Sequence, residues 1–180
     1  MFNFYRKESK IMEEYKEIFE VINSSITNTF VKIYKTMTTL EVEPVKVPNL
    51  NEFKRSYSTT MGLNGVFLND QNEKVNMKGS VVISWDTNSY VKMASLFLGE
   101  EYKEFCDEID DVGMEIINTT VGNSKAPLSR NGVFVEMSLP TGFIGDSHMA
   151  ESNKNVFKTL HVYNTSVGKV CVMINILIER

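Results

Sequence analysis

The stretch 111–128 carries the grouping of side chains with the clearest chemical potential. Four residues in it recur at spacings of four, three and four, namely Asp111, Glu115, Asn118 and Gly122. On a helix this spacing places them in one stripe along one face. A carboxylate pairs with cations, whereas a carboxamide both accepts and donates hydrogen bonds. The stripe can therefore present Glu115 and Asn118 to a partner, although an ordinary solvated helix face can have the same composition.

A separate apolar stripe predicts how this helix is held. It consists of Phe105, Ile109, Val112 and Ile116, again at spacings of four, three and four. Such a pattern is typical of a helix that buries one face in a core. The two stripes together predict a helix that buries its apolar side and leaves the polar stripe exposed on the surface.

Composition limits the class of protein and its partners. A chain of 180 residues with 42% hydrophobic and 23% charged residues is typical of a globular domain, so we expect one domain over residues 1–180. The net charge of −4 disfavours nucleic acid as a partner. No apolar run is long enough to span a bilayer, and the first residues lack the apolar core of a signal peptide. Cys106 and Cys171 are isolated, so we expect reduced thiols and a cytoplasmic protein without membrane insertion.

Hydrophobic periodicity and turn residues divide the chain into helices and strands. The pattern predicts a helix over 11–37, strands over 40–47, 57–68 and 77–85, a short linking helix over 87–99, a long helix that ends near residue 131, and strands over 133–139, 156–163 and 168–178. Pro140 closes one strand, and residues 141–155 are predicted to be a loop. The order is helix and three strands, a linking helix, then helix and three strands again.

The two halves, about 11–86 and about 102–179, are similar in sequence. A shift of 95 residues lays Glu20 on Glu115 and Asn23 on Asn118, with similar residues between them. Internal repetition indicates half-domains related by a pseudo-two-fold axis. We therefore predict an α+β fold in which duplicated αβββ halves form one mixed six-stranded sheet with two long helices on one face.

Duplicated αβββ halves with Glu-x-x-Asn on a long helix resemble the chemotaxis phosphatase family that contains CheC, CheX and the phosphatase part of FliY. The family pattern is an acid, Glu-x-x-Asn and a later proline, matched here by Asp111, Glu115, Asn118 and Pro140. The segment from Gly122 to Leu128 also resembles the CheX version of the motif. The resemblance covers roughly residues 12–179. We expect no added binding domain beyond this core, and on that expectation the chain resembles CheX most.

The resemblance implies a hydrolase that removes the phosphoryl group from the phosphoaspartate of a CheY-type response regulator. Asn118 would orient the attacking water, and Glu115 would pair with a lysine of the regulator. The regulator would bring its own Mg²⁺, so we expect no cofactor or metal site in this chain. Asp111, Gly122 and Asn123 would contact the partner.

The first copy of the motif departs from the family pattern. Lys16 stands where the second copy has an acid, and Thr27 stands at the position of Gly122. In the family, CheC-like members use both sites and CheX-like members use mainly the second. Glu20 and Asn23 are therefore either a second working site or a relic that forms an ordinary helix face.

Two other functions remain open at this point. The middle domain of the flagellar switch protein FliM resembles the same duplicated fold, so a non-catalytic regulator-binding or scaffold module is the alternative. A purely structural dimerising protein is the other possibility. A homodimer formed through edge strands is expected for the phosphatase as well, since CheX-like proteins are understood to dimerise in this way. His148 and His161 are too isolated to form a base–nucleophile pair, and we assign neither a catalytic role.

Overall fold

The structure is a computed structural model that describes residues 13–46, 56–145 and 156–179. Its elements in chain order are α1 (Lys16–Thr38), β1 (Glu43–Val45), β2 (Tyr57–Leu68), β3 (Lys74–Trp85), α2 (Thr87–Leu98), α3 (Asp107–Arg130), β4 (Val133–Met137), β5 (Thr141–Ile144), β6 (Val156–Thr165) and β7 (Gly168–Glu179). The order of helices and strands predicted from the sequence is confirmed.

Within the described residues, seven strands form one sheet in the order β1-β6-β7-β3-β2-β4, and β5 also pairs with β2. Every pairing is antiparallel. The long helices α1 and α3 pack against each other and against the buried face of the sheet. The α+β class with two long helices on one face is therefore confirmed.

The centre of the sheet has the symmetry that the sequence repeat predicts. In the pairing of β3 with β7, Ser80 lies opposite Asn175, which is 95 residues later. The Asn175 Nδ2 donates to Ser80 Oγ at 3.1 Å. Each half also gives its first strand to the other half, because β1 pairs with β6 while β4 and β5 pair with β2. The halves are thus interlocked in one sheet.

Two details of the predicted sheet were wrong. The sheet is antiparallel, not mixed, because a two-fold axis perpendicular to a sheet reverses strand direction and makes the equivalent strands β3 and β7 run antiparallel. It also has seven described strands instead of six, since pairing with β2 resumes after Pro140 as β5. The predicted loop 141–155 therefore begins as a strand, and residues 146–155 lie outside the described part.

Some predicted boundaries also shift. The first strand is only three residues long, Glu43–Val45, whereas the predicted range was 40–47; residue 47 and the proline after it lie outside the described residues. The first helix is described from Lys16 rather than from residue 11. The linking helix, predicted over 87–99, ends one residue earlier at Leu98, because Gly99 follows with a left-handed φ of 74° and closes it.

Aromatic residues fill the core between α1 and the sheet. Phe19 stacks on Phe157 with ring centroids 4.3 Å apart, and Phe30 lies 5.4 Å from Tyr163. Trp85, the last residue of β3, is fully buried. Its indole nitrogen donates to the Tyr34 hydroxyl at 3.2 Å, so the one polar atom of this large side chain is satisfied. This packing fixes α1 on the sheet.

Candidate functional site

Two tyrosines anchor the start of α3, the helix that carries Glu115 and Asn118. The Tyr57 hydroxyl donates to the Asp110 carbonyl at 2.6 Å, and the Tyr90 hydroxyl donates to the Ile109 carbonyl at 2.7 Å. The Gly113 amide in turn donates to the Tyr90 hydroxyl at 2.9 Å. Burial raises the pKa of Tyr90 to about 12, so its hydroxyl stays protonated and remains a donor. The first turn of α3 is therefore fixed before the polar stripe begins.

Gly113 allows this helix to lie close to the sheet. A Cβ at this position would lie 2.8 Å from the Thr59 methyl and 3.0 Å from the Tyr57 ring. Both neighbours are themselves buried, so neither can move away easily. The absence of a side chain at Gly113 thus determines the depth at which α3 sits, and with it the height of the polar stripe.

The structure brings the residues of the predicted stripe together on one accessible face. Asp111 and Glu115 are exposed, and Gly122 is half-buried. The Glu115 carboxylate accepts a hydrogen bond from Thr119 Oγ1 at 3.0 Å. Asn118 is half-buried, and its carboxamide makes no hydrogen bond to any residue that the structure describes. Its donor and acceptor groups are therefore available to an external group.

The surroundings of the stripe are strongly acidic. Between positions 107 and 115 the sequence has five acidic residues and no basic one, namely Asp107, Glu108, Asp110, Asp111 and Glu115. The ion pairs found in the described part of the chain, Lys35–Glu41 and Lys78–Glu179, involve none of them. Acids in a first helical turn are stabilised by the helix dipole. The site therefore favours a partner with a cationic group.

Asn123 directly follows Gly122, the last residue of the stripe, and is exposed. Its side-chain nitrogen donates to the Thr119 carbonyl of the same helix at 2.8 Å. Pro127 lies inside α3 and has no amide hydrogen, so the Asn123 carbonyl loses its usual helical partner. The side-chain oxygen accepts no hydrogen bond from a described residue, so Asn123 can offer a partner this oxygen as well as its backbone carbonyl.

The first copy of the motif has a different environment. Asn23 is buried, with 4% of its surface exposed. Its Oδ1 accepts from Thr159 Oγ1 at 2.8 Å and lies 2.8 Å from His161 Nε2, which in this orientation must carry the hydrogen. Burial lowers the pKa of His161, so the ring is neutral near pH 7. Glu20 remains exposed, but the Asn23 acceptor is used inside the protein.

The strand below each asparagine explains this difference. The two halves of the sheet can be matched strand by strand, starting from the pseudo-two-fold axis between β3 and β7. In this match, Thr159 and His161 in β6 correspond to Leu63 and Gly65 in β2. Leucine and glycine have no polar side-chain group. At the positions that correspond to Thr159 and His161, β2 therefore offers Asn118 no polar side-chain partner.

Gly65 also leaves no room for a polar replacement. A Cβ there would lie 2.5 Å from the Met77 methyl and 2.9 Å from the Phe134 carbonyl oxygen. The place that a histidine ring occupies in one half is thus filled by a methionine and by the neighbouring strand in the other.

Sequence reasoning missed Thr159 and His161 as the partners of Asn23. They lie 136 and 138 residues away along the chain. The one local signal was that both face the same side of a predicted strand. Nothing in the local sequence shows that this side of the strand lies under the first helix, because the strand and the helix belong to different halves of the chain.

No group of three or more His, Cys, Asp or Glu residues in the described part of the chain is placed to hold a metal ion. No helix among the described residues has the length and apolar character needed to cross a membrane.

An open antiparallel sheet with two long helices on one face, one of them exposing Glu-x-x-Asn, defines the CheC-like class of fold. A family model described as "Chemotaxis phosphatase CheX" matches residues 74–161, which include α3 and both stripe residues Glu115 and Asn118. No match was found among curated protein sequences. The family match and the solved structures below support the resemblance to the CheC/CheX family, and most of all to CheX, that the motif predicted.

The chain is similar to several solved structures. A CheC-like superfamily protein from Shewanella sp. PV-4 has a TM-score of 0.71 at 22% identity, over 87% of this chain and 97% of that one. The chemotaxis protein CheX from Vibrio vulnificus has a TM-score of 0.68 at 23% identity, over 89% and 99%. The CheX–CheY–BeF3–Mg complex from Borrelia burgdorferi has a TM-score of 0.64 at 22% identity, over 91% and 98%.

A fold likeness extends to the flagellar switch. The FliM–SpeE complex from H. pylori has a TM-score of 0.55 at 16% identity, over 95% of this chain and 89% of that one. At these identities the structures show a shared fold.

Proposed function

We propose that this protein is a phosphatase for the phosphoaspartate of a CheY-type response regulator. The observation that carries the proposal is the carboxamide of Asn118, which makes no hydrogen bond to a described residue and is half-buried beside the exposed Glu115 on an anchored helix. The family match to a chemotaxis phosphatase and the Borrelia CheX that was solved with CheY support the same reaction and the same class of partner.

Asn118 would position the nucleophile. In the reaction a water oxygen forms a bond to phosphorus, the bond from phosphorus to the aspartyl oxygen breaks, and the products are an aspartate carboxylate and inorganic phosphate. Catalysis of phosphoryl transfer is largely a matter of placing the reactants and stabilising charge. A carboxamide with no internal hydrogen bond can accept from this water and donate to it, which fixes its direction of attack.

Glu115 would orient the two proteins. It lies about one helical turn before Asn118, on the same face, and is exposed within an acidic surface. A lysine beside the acyl phosphate of the receiver could donate to this carboxylate in a charge-assisted hydrogen bond. This contact would place Asn118 over the phosphorus atom.

The remaining residues on and beside the stripe would border the contact, and the receiver would supply Mg²⁺. Asp111 begins the stripe, Asn123 directly follows its last residue, and both are exposed. At Gly122 a Cβ would meet only the Met137 methyl at 4.0 Å, so the surface there is open to a receiver loop. We propose that the metal ion needed for the reaction belongs to the substrate.

One site in each chain would carry the reaction. The carboxamide oxygen of Asn23 is held by Thr159 and His161, and the residue is buried. A water could reach it only if these hydrogen bonds broke. We therefore assign the first copy a structural role and the second copy the catalytic one.

A scaffold module of the same fold is the second candidate, favoured by the fold likeness to the FliM complex. Such a module would bind a response regulator without hydrolysing its acyl phosphate. The intact and open Glu115–Asn118 pair favours the phosphatase, since a scaffold has no need of a free carboxamide at this position.

The decisive experiment measures the rate at which a phosphorylated CheY-type receiver loses phosphate in Mg²⁺, alone, with the wild type and with Asn118→Ala. The proposal expects acceleration by the wild type and its loss in Asn118→Ala, with complex formation retained. A wild type that binds the phosphorylated receiver without accelerating its decay would establish the scaffold instead.

The expected homodimer stays a prediction. Among the described strands the two sheet edges are poorly suited to strand addition, because β1 has only three residues, one of them Pro44, and the other edge is interrupted between β4 and β5. Sedimentation of the protein over a range of concentrations will show whether it forms a dimer.

A further inference from the structure

The edge strand beside α3 contains a β-bulge. β2 pairs with β4 as far as Leu63↔Met137, and its pairing with β5 begins at Thr60↔Thr141. Two residues of β2 therefore lie opposite three residues of the edge strand, Ser138, Leu139 and Pro140. One extra residue on one strand is the definition of a bulge, and bulges are frequent beside active sites, where they redirect a side chain.

Hydrogen bonds hold this bulge in one conformation. The Ser138 amide donates to the Gly62 carbonyl at 3.0 Å, and the Gly62 amide donates to Ser138 Oγ at 2.9 Å. Ser138 Oγ also donates to the Leu139 carbonyl at 2.9 Å. The next residue is Pro140, whose ring restricts its own φ. The backbone on both sides of Leu139 is therefore fixed.

Leu139 is the most exposed large apolar side chain among the described residues, at 87%. A single exposed leucine is common on protein surfaces. A leucine held out by a hydrogen-bonded bulge is different, because little conformational entropy of the backbone remains to be lost when a partner covers it. Preorganisation of this kind suits a contact residue.

The bulge lies alongside the polar stripe. Before it, the Met137 methyl lies 4.0 Å from the position of a Cβ on Gly122. After it, a Cβ on Gly142 would lie 3.5 Å from the Asp110 carboxylate. The segment that contains Leu139 thus runs beside the part of α3 between Asp110 and Gly122, which carries the Glu-x-x-Asn pair.

We propose that Leu139 is a docking residue for the same receiver whose acyl phosphate meets Asn118. This inference rests on the proposed function, and the occupant is an apolar patch on the receiver surface beside its phosphorylation pocket. A protein whose phosphorylated aspartate reaches Asn118 lies against the part of α3 beside which the bulge runs. A second copy of the chain is a poorer occupant, because the bulge interrupts the ladder that an added strand would need.

A contact away from the phosphorus atom acts equally on the ground state and the transition state. Its removal therefore raises KM and leaves kcat unchanged. Loss of a buried leucine side chain predicts about a tenfold rise in KM and in the Kd of the complex. Asn118→Ala has the opposite signature, since it lowers kcat.

The test compares Leu139→Ala with Leu68→Ala as a matched control. Leu68 ends β2 and is 52% exposed, but it lies at the end of the strand opposite to Tyr57, whose hydroxyl contacts the start of α3. For each variant, KM and kcat are measured on the phosphorylated receiver, and Kd is measured on the receiver with beryllofluoride and Mg²⁺. We expect the tenfold change in Leu139→Ala and none in Leu68→Ala.

Three outcomes decide the matter. Equal KM and Kd in both variants and in the wild type would overturn the docking role. A change of oligomeric state in Leu139→Ala on sedimentation, with Kd unaffected, would also overturn it and make a second copy the occupant. In the third outcome, the wild type lacks phosphatase activity while Kd rises about tenfold in Leu139→Ala and not in Leu68→Ala. That result would support the docking role and overturn the proposed reaction.

Discussion

The two copies of Glu-x-x-Asn use the same residues in the same secondary structure and differ in what lies below them. Asn23 is buried and accepts hydrogen bonds from the β6 pair Thr159 and His161. Asn118 is half-buried and free of hydrogen bonds to the described residues. The motif alone therefore does not define a site. A polar strand turns one copy into part of the core, and an apolar strand leaves the other open.

The start of α3 has contacts that suit its proposed role. Neither Tyr15 before α1 nor Cys106 before α3 makes a side-chain capping hydrogen bond. The first turn of α3 is instead held by the hydroxyls of Tyr57 and Tyr90. The helix with the open asparagine thus begins at a fixed position on the sheet, which is what accurate placement of a water requires.

The largest expected effect separates the two copies by activity. Asn118→Ala should lower the rate of receiver dephosphorylation by about 100-fold, because the attacking water loses its orientation. Its melting temperature should not fall, since no hydrogen bond to a described residue is lost and alanine is the better helix former. The check is a dephosphorylation assay beside thermal unfolding. A marked loss of stability would show that Asn118 is structural after all.

The same substitution in the first copy should have the reverse effect. Asn23→Ala should lower the free energy of unfolding by about 2 kcal/mol, because it leaves buried polar groups of Thr159 and His161 without their partner. The dephosphorylation rate should stay within about twofold of wild type, because in the proposed reaction Asn23 does not contact the reacting atoms. Denaturant unfolding and the same activity assay provide the measurements. Loss of activity in the folded variant would mean that both copies work.

The two glutamates provide a smaller contrast. Glu115→Gln should raise KM for the phosphorylated receiver about tenfold, because a charge-assisted hydrogen bond to the receiver becomes a neutral one. Glu20→Gln is the control, since Glu20 is also exposed and one turn before an asparagine. Steady-state kinetics at low and high salt measure the KM of the Glu115→Gln and Glu20→Gln variants. A similar KM for both variants would assign the pairing to another acid on the α3 face.

The smallest effect concerns pH and His161. Burial lowers its pKa in the folded protein below the ordinary value of 6.5. The unfolded chain therefore takes up this proton first, so the contribution to stability is complete above about pH 6.5 and declines as the pH falls towards the folded-state pKa. From about pH 7.5 to about pH 5, unfolding free energy should fall more steeply in wild type than in His161→Gln. Parallel curves would show that the ring does not titrate with unfolding.

Local signals predicted much of the fold. β2 was predicted with its observed limits, Tyr57–Leu68, and the linking helix was predicted to within one residue of its observed limits, Thr87–Leu98. The edge strand was less predictable. Pro140 indicates the end of a strand, and only the pairing with β2 shows that the strand continues beyond a bulge. Strand direction could not be deduced from local sequence either, because it follows from how the two halves meet.

The sequence by itself determined the repeat, the order of the elements and the placing of Glu115 and Asn118 on one helix face. These depend on periodicity within a few turns of chain. Only the tertiary structure decided which asparagine is free. The groups that hold Asn23 come from the other half of the chain, 136 and 138 residues away, and a hydrogen bond over that separation exists only because the halves exchange edge strands and share one sheet.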